Sequence, residues 1–116
     1  MKNWLILTYI LTTTFVSCSN KEIKINIKNK SINPIKEMNV FVQGRQYKID
    51  EIKESGHSTI SIKKDEITLN THDFRIESTL TFRDGKKNSG FYYSDISGMP
   101  NSEYTIEVYD STSVIK

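Results

Sequence analysis

Two histidines, one cysteine and scattered carboxylates are the groups in this sequence best able to do chemistry. His57 follows Gly56 at a turn, and His72 lies between Thr71 and Asp73. A zinc site needs three or four ligands at usable spacing. His72, Asp73, Asp65 and Glu66 are the nearest to such a set, but they fall in a polar stretch that reads as a solvated loop. The adjacent pairs Asp50-Glu51 and Asp65-Glu66 do not converge on one substrate, because neighbours on a strand point to opposite faces. No Asp-x-Asp-x-Asp run suggests calcium. No serine sits in a Gly-x-Ser-x-Gly elbow, and no glycine-rich loop could cradle a phosphate. The expectation is a non-enzymatic protein with no metal and no cofactor.

The aromatic residues are the candidates for a binding surface. Phe91, Tyr92 and Tyr93 are consecutive, so Tyr92 points away from its neighbours. Phe41 and Tyr109 also fall opposite the apolar rows of their own strands. If Phe41, Tyr92 and Tyr109 share one sheet surface, they form an exposed aromatic patch, the usual substance of a binding hot spot. The competing reading is that they cover a sheet edge or pair across strands.

Composition narrows the field further. Sixteen basic against 14 acidic residues give a net charge of +2, spread along the chain. That leaves no basic footprint for nucleic acid. A charged fraction of 26% is too high for a multi-span membrane protein, and a hydrophobic fraction of 36% is too high for a disordered chain. The one cysteine, Cys18, can form neither an intramolecular disulfide nor a multi-thiolate metal site.

The position of that cysteine is informative. Lys2 precedes an uncharged, apolar run from Trp4 to Val16, and Ser17 then precedes Cys18. This is the order of a secretory signal. The uncharged run from Asn3 to Asn20 is 18 residues long and diluted by four threonines. A spanning helix wants about 20 predominantly apolar residues, so an uncleaved anchor is the weaker reading.

Phe15-Val16-Ser17-Cys18 resembles the lipobox of bacterial lipoproteins, with Phe15 where Leu is usual. The resemblance implies a diacylglycerol on the Cys18 thiol and cleavage after Ser17. It also implies a membrane partner reached through that lipid. Each buried acyl methylene contributes about 0.8 kcal/mol, so two or three chains anchor durably. Ser19, by the same resemblance, favours the outer membrane, with the domain in the periplasm or at the cell surface. Residues 1–17 would then be signal peptide and 18–22 a lipidated tether.

Beyond the tether the hydrophobic period is two. Ile23, Ile25 and Ile27 alternate with polar residues, as do Met38, Val40 and Val42. Gln43-Gly44-Arg45 reads as a tight turn leading to Tyr47 and Ile49, and Ser55-Gly56 as another leading to Ile60 and Ile62. Phe74, Ile76, Ser78, Leu80 and Phe82 make the strongest strand pattern, closed by an Asp84-Gly85 hairpin. Phe91 and Tyr93 lie on the return strand. A loop over Ser97–Asn101 then leads to Tyr104, Ile106 and Val108. About seven short strands with regular turn signals predict an all-β fold, a single antiparallel immunoglobulin-like sandwich over residues 23–110. Residues 111–116 read as a polar tail.

The order of Ile27-Lys28-Asn29-Lys30-Ser31, Val40-Phe41-Val42-Gln43-Gly44, Ser55-Gly56 and Glu77-Ser78-Thr79-Leu80-Thr81-Phe82-Arg83-Asp84-Gly85-Lys86 resembles a group of small exported bacterial proteins of uncharacterised activity. The resemblance implies a fold and carries over no catalytic residue. The function expected is a non-enzymatic binding module whose partner is an envelope or extracellular protein or a glycan. The alternative is an inhibitor or immunity-type protein against an envelope-directed toxin or hydrolase.

Overall fold

A computed structural model of the chain describes residues 22–68, 73–94 and 101–116. The lipobox, Cys18, His72 and most of the expected Ser97–Asn101 loop lie outside these residues. Eight strands are present among them: β1 (Glu22–Asn29), β2 (Ile35–Val42), β3 (Arg45–Ile49), β4 (His57–Lys63), β5 (Phe74–Phe82), β6 (Lys87–Ser94), β7 (Glu103–Val108) and β8 (Ser113–Ile115). The only helical element among the described residues is a single 3₁₀ turn, Lys64–Glu66.

The strands form two four-stranded sheets. Sheet A has the order β4-β1-β7-β8 and sheet B the order β3-β2-β5-β6. Their facing rows make one apolar core. Ile23, Ile25 and Ile27 from β1 and Ile106 from β7 are fully buried there. So are Met38, Val40 and Val42 from β2 and Phe74, Ile76 and Phe82 from β5. Each such side chain contributes about 1.5–3 kcal/mol when removed from water. Tyr104 of β7 ties the sheets together: it stacks on Phe74, with centroids 5.2 Å apart, and meets Tyr92 edge-on at 5.3 Å.

The expectation of a wholly antiparallel fold is corrected at one pair. β1 and β7 run parallel, with Ile25 opposite Tyr104 and Ile27 opposite Ile106. The reason is directional parity. Chain direction reverses at every connection, so odd-numbered strands all run one way. β1 and β7 are both odd and become neighbours, so their pairing must be parallel. The strand count is also corrected. The expected tail at 111–116 contains β8, which pairs antiparallel with β7. Its inward Ser113 and Ile115 are buried, and so extend the β7 row.

Parity also sorts the loops between two poles. At one pole lie the start of β1, the Gln43–Gly44 turn and the 3₁₀ turn. Here Gln43 spans the gap: its Nε2 donates to the carbonyls of Thr68 and Asp73, each at 3.0 Å, and its Oε1 accepts from Arg75 N at 2.8 Å. Those bonds offset the positive φ of Gln43 (52°), beside Gly44 at 83°. At the far pole, buried Asn29 donates Nδ2 to Asn33 O at 2.8 Å and to Lys53 O at 3.1 Å. Its Oδ1 accepts from Ser31 N at 3.1 Å and from the Ser31 hydroxyl at 2.6 Å. The Asn29-Lys30-Ser31 motif is thus a staple between two loops.

Candidate functional site

The hairpin between β5 and β6 decides which aromatic side chains face solvent. Gly85 N donates to Phe82 O at 2.9 Å, and Phe82 N to Lys86 O at 2.8 Å. Gly85 takes φ 91°, and Asp84 Oδ1 accepts from Lys86 N at 3.0 Å. This is a three-residue loop with glycine in the left-handed position. It sets the register Ile76↔Tyr92, Glu77↔Phe91 and Arg75↔Tyr93. Opposed residues share a face. Tyr92 therefore joins Ile76 on the inner side, and Phe91 and Tyr93 join Glu77 and Arg75 outside.

The three candidate binding residues consequently separate. Phe41 does lie on the outer face of sheet B, opposite Glu77 and Gln46, and is half-buried. Tyr92 does not: it packs against the core and Tyr104. Tyr109 follows β7 at the far pole, where its hydroxyl lies 3.3 Å from Glu107 Oε1 and its carbonyl accepts from Asn88 Nδ2 at 2.7 Å. Alternation within β6 alone left the parity open, and the residues missed are Phe91 and Tyr93. They are 59% and 47% exposed. The signal that could have found them is the Asp84-Gly85 loop, since pairing Phe82 with Lys86 determines every later partner.

The outer face of sheet B is graded along its strands. Near the far pole, Glu37, Thr81 and Lys87 form one cross-strand row and Asn39, Thr79 and Ser89 the next. These line a shallow depression of about 470 Å³. Toward the other pole the row becomes Gln46, Phe41, Glu77 and Phe91, and then Arg75 and Tyr93. The Arg75 guanidinium sits over the Tyr93 ring, 5.6 Å from its centroid. Phe41 and Phe91 flank Glu77 two strand spacings apart, about 10 Å at the Cα atoms. The surface can therefore offer ring faces beside one carboxylate and one guanidinium.

The groups weighed for catalysis stay apart. His57 opens β4 exposed, and its cross-strand neighbour is Lys28. Glu66 accepts from the Tyr47 hydroxyl at 3.3 Å, Asp73 pairs with Arg75 at 3.9 Å, and Glu51 pairs with Arg83. Among the described residues no three His, Cys, Asp or Glu side chains come together as a metal-holding group. The strongest electrostatic centre is Glu107, nearly buried on the outer side of sheet A. Lys30 Nζ lies 2.7 Å and Lys116 Nζ 2.9 Å from its two oxygens. The hydrogen bond from Lys30, then that from Lys116, holds its carboxyl down at about 2. Glu107 in turn raises the Lys30 ammonium above its ordinary value.

The fold has a solved counterpart. An NMR structure of a protein from Eubacterium rectale matches with a TM-score of 0.58 over 83% of this chain and 87% of that chain. The sequences are 11% identical, so the likeness concerns the fold alone. No family model and no curated protein matches the sequence.

Proposed function

We propose that this chain is a lipid-anchored bacterial envelope protein whose β-sandwich is a non-enzymatic binding module of the immunoglobulin-like kind. The observation that carries the binding reading is the outward aromatic face of sheet B, with Phe91 and Tyr93 more open to solvent than aromatic side chains ordinarily are. Anchoring rests on Phe15-Val16-Ser17-Cys18. The immunoglobulin-like assignment rests on two facing four-stranded sheets whose strands cross between them, although the Cys…Trp…Cys signature is absent from residues 22–116 and sheet A is mixed. The ligand class favoured is a glycan or an envelope protein with a flat surface, met by ring faces beside Glu77 and Arg75.

The test is a paired capture from envelopes with the wild type and the double variant Phe91→Ser, Tyr93→Ser. Both changes are on the solvent face, so folding should survive, as judged by an unchanged thermal midpoint. A component held by the wild type and lost, by about tenfold or more, from the variant is the expected result, since aromatic hot-spot residues commonly contribute 2 kcal/mol or more. Equal capture by both proteins contradicts the proposal.

A further inference from the structure

The outward rings of sheet B do not form a continuous apolar patch. One cross-strand row runs Gln46, Phe41, Glu77, Phe91 from β3 to β6, so a carboxylate stands between two phenyl rings. Glu77 is exposed, and no ion pair or hydrogen bond reaches its carboxylate among the described residues. Arg75, two residues before it on the same face, is engaged elsewhere: its guanidinium lies over the Tyr93 ring at 5.6 Å and 3.9 Å from Asp73. Phe41 and Phe91 are therefore the rings that bracket an unpaired carboxylate.

Successive residues on one face of a strand are about 7 Å apart, so this row has polar neighbours on both sides. On one side lie Asn39, Thr79 and Ser89. Gln46 Nε2 donates to Asn39 Oδ1 at 2.8 Å, which holds those two amides in place. On the other side lies Arg75. In the paired rows of this face, Glu37 and Glu77 stand against Lys48, Arg75 and Lys87. That near balance gives little field to draw a polyion.

The central carboxylate decides between the occupants. The apolar centre of a protein partner, laid on Phe41 and Phe91, would strip water from Glu77 and return no bond, and charged residues are depleted from interface cores for this reason. A chain of pyranoses meets both demands. Its C–H face packs on a phenyl ring by dispersion and weak contacts with the electron-rich ring face. Its rim hydroxyls donate to a carboxylate and exchange bonds with amides and alcohols. Phe41 and Phe91 stand about 10 Å apart at the Cα atoms, the span of two linked pyranose units rather than one. In an equatorially 1,4-linked chain every second unit presents the same face.

We propose, resting on the binding role of this face, that the Phe41–Glu77–Phe91 row is a subsite for an extended, uncharged oligosaccharide of equatorially 1,4-linked pyranoses lying across the strands. Alternate units stack on the two rings, and the unit between them donates hydroxyls to Glu77. Asn39, Thr79 and Ser89 line one edge of the chain and Arg75 the other.

The test is a titration of the isotope-labelled full chain, held in a sugar-free detergent, with cellopentaose, chitopentaose and maltopentaose. The first two are extended and equatorially linked, whereas the third has axial linkages and curls. Cellopentaose or chitopentaose should shift the Phe41 and Phe91 ring signals and the Asn39 side-chain amide. Maltopentaose should bind at least about tenfold more weakly, because it reaches one ring and not both. Phe91→Ser and Glu77→Ala should each weaken the extended sugar about tenfold with an unchanged thermal midpoint. No binding of either extended sugar near about 1 mM, equal binding of maltopentaose, or unchanged affinity in either variant would overturn the proposal. Envelope capture separates this failure from failure of the binding face itself. Capture that needs Phe91 and Tyr93 but is lost after protease treatment of the envelopes would overturn the saccharide and leave the face standing. Capture that needs neither ring would overturn both.

Discussion

Glu107 holds three segments together: the end of β1 through Lys30, its own strand β7, and the chain end through Lys116. Its carboxyl is held at about 2 in the folded state, below its ordinary value of 4.5. The unfolded chain therefore binds the proton more readily. The contribution to stability is complete above pH 4.5 and drains away as pH falls toward 2. Lys30 acts at the other limit: its raised value means its share is complete below 10.5 and lost as pH rises through the folded-state value. Glu107→Gln should therefore flatten the fall of the urea midpoint between pH 4.5 and 2. A midpoint that falls as steeply in the variant as in the wild type would show that other carboxylates govern acid unfolding. Nothing in the local sequence signals this role, since Lys30 comes from the far end of β1 and Lys116 meets Glu107 only through the β7–β8 pairing. The role of Asn29 is half legible: Asn and Ser side chains two residues apart after an alternating run favour a turn, but the bond to Lys53 O depends on a loop 24 residues away.

At the scale of elements, alternation was the most reliable guide. The row Phe74, Ile76, Ser78, Leu80 and Phe82 is buried throughout, as its period of two requires. β8 is not legible in the sequence because three residues, Ser113 to Ile115, are too few to show a period. The parallel β1–β7 pair is illegible for a different reason: pairing partners far apart in sequence leave no trace in either strand's own pattern. The β6–β8 contact depends on small residues. A Cβ on Gly90 would stand 2.9 Å from Ser78 Oγ, closer than such atoms approach, and a tight 3.0 Å from Ser113 Cβ. Gly90→Ala should thus push β8 off β6 and destabilise the domain by about 1–3 kcal/mol, the usual cost of overpacking. A lowered urea midpoint together with faster amide exchange in β8 would bear this out. An unchanged midpoint would mean that β8 contributes little.

For the molecule as a whole, the strand directions place the start of β1 at one pole and the stapled Asn29–Asn33 loop at the other. Three residues, Ser19 to Lys21, separate Cys18 from Glu22, a reach of at most about 14 Å. A lipid on Cys18 would therefore hold the β1-start pole beside the membrane. It would leave Ile32, 74% exposed beside Asp110, at the far end. The aromatic face runs between those poles and stays open to lateral partners. The anchor is the claim on which this orientation depends, and metabolic labelling with a tagged palmitate tests it most directly. The wild type, expressed in a bacterium that processes lipoproteins, should incorporate the label and partition with membranes, and Cys18→Ser should do neither. Equal labelling of both proteins would contradict the account.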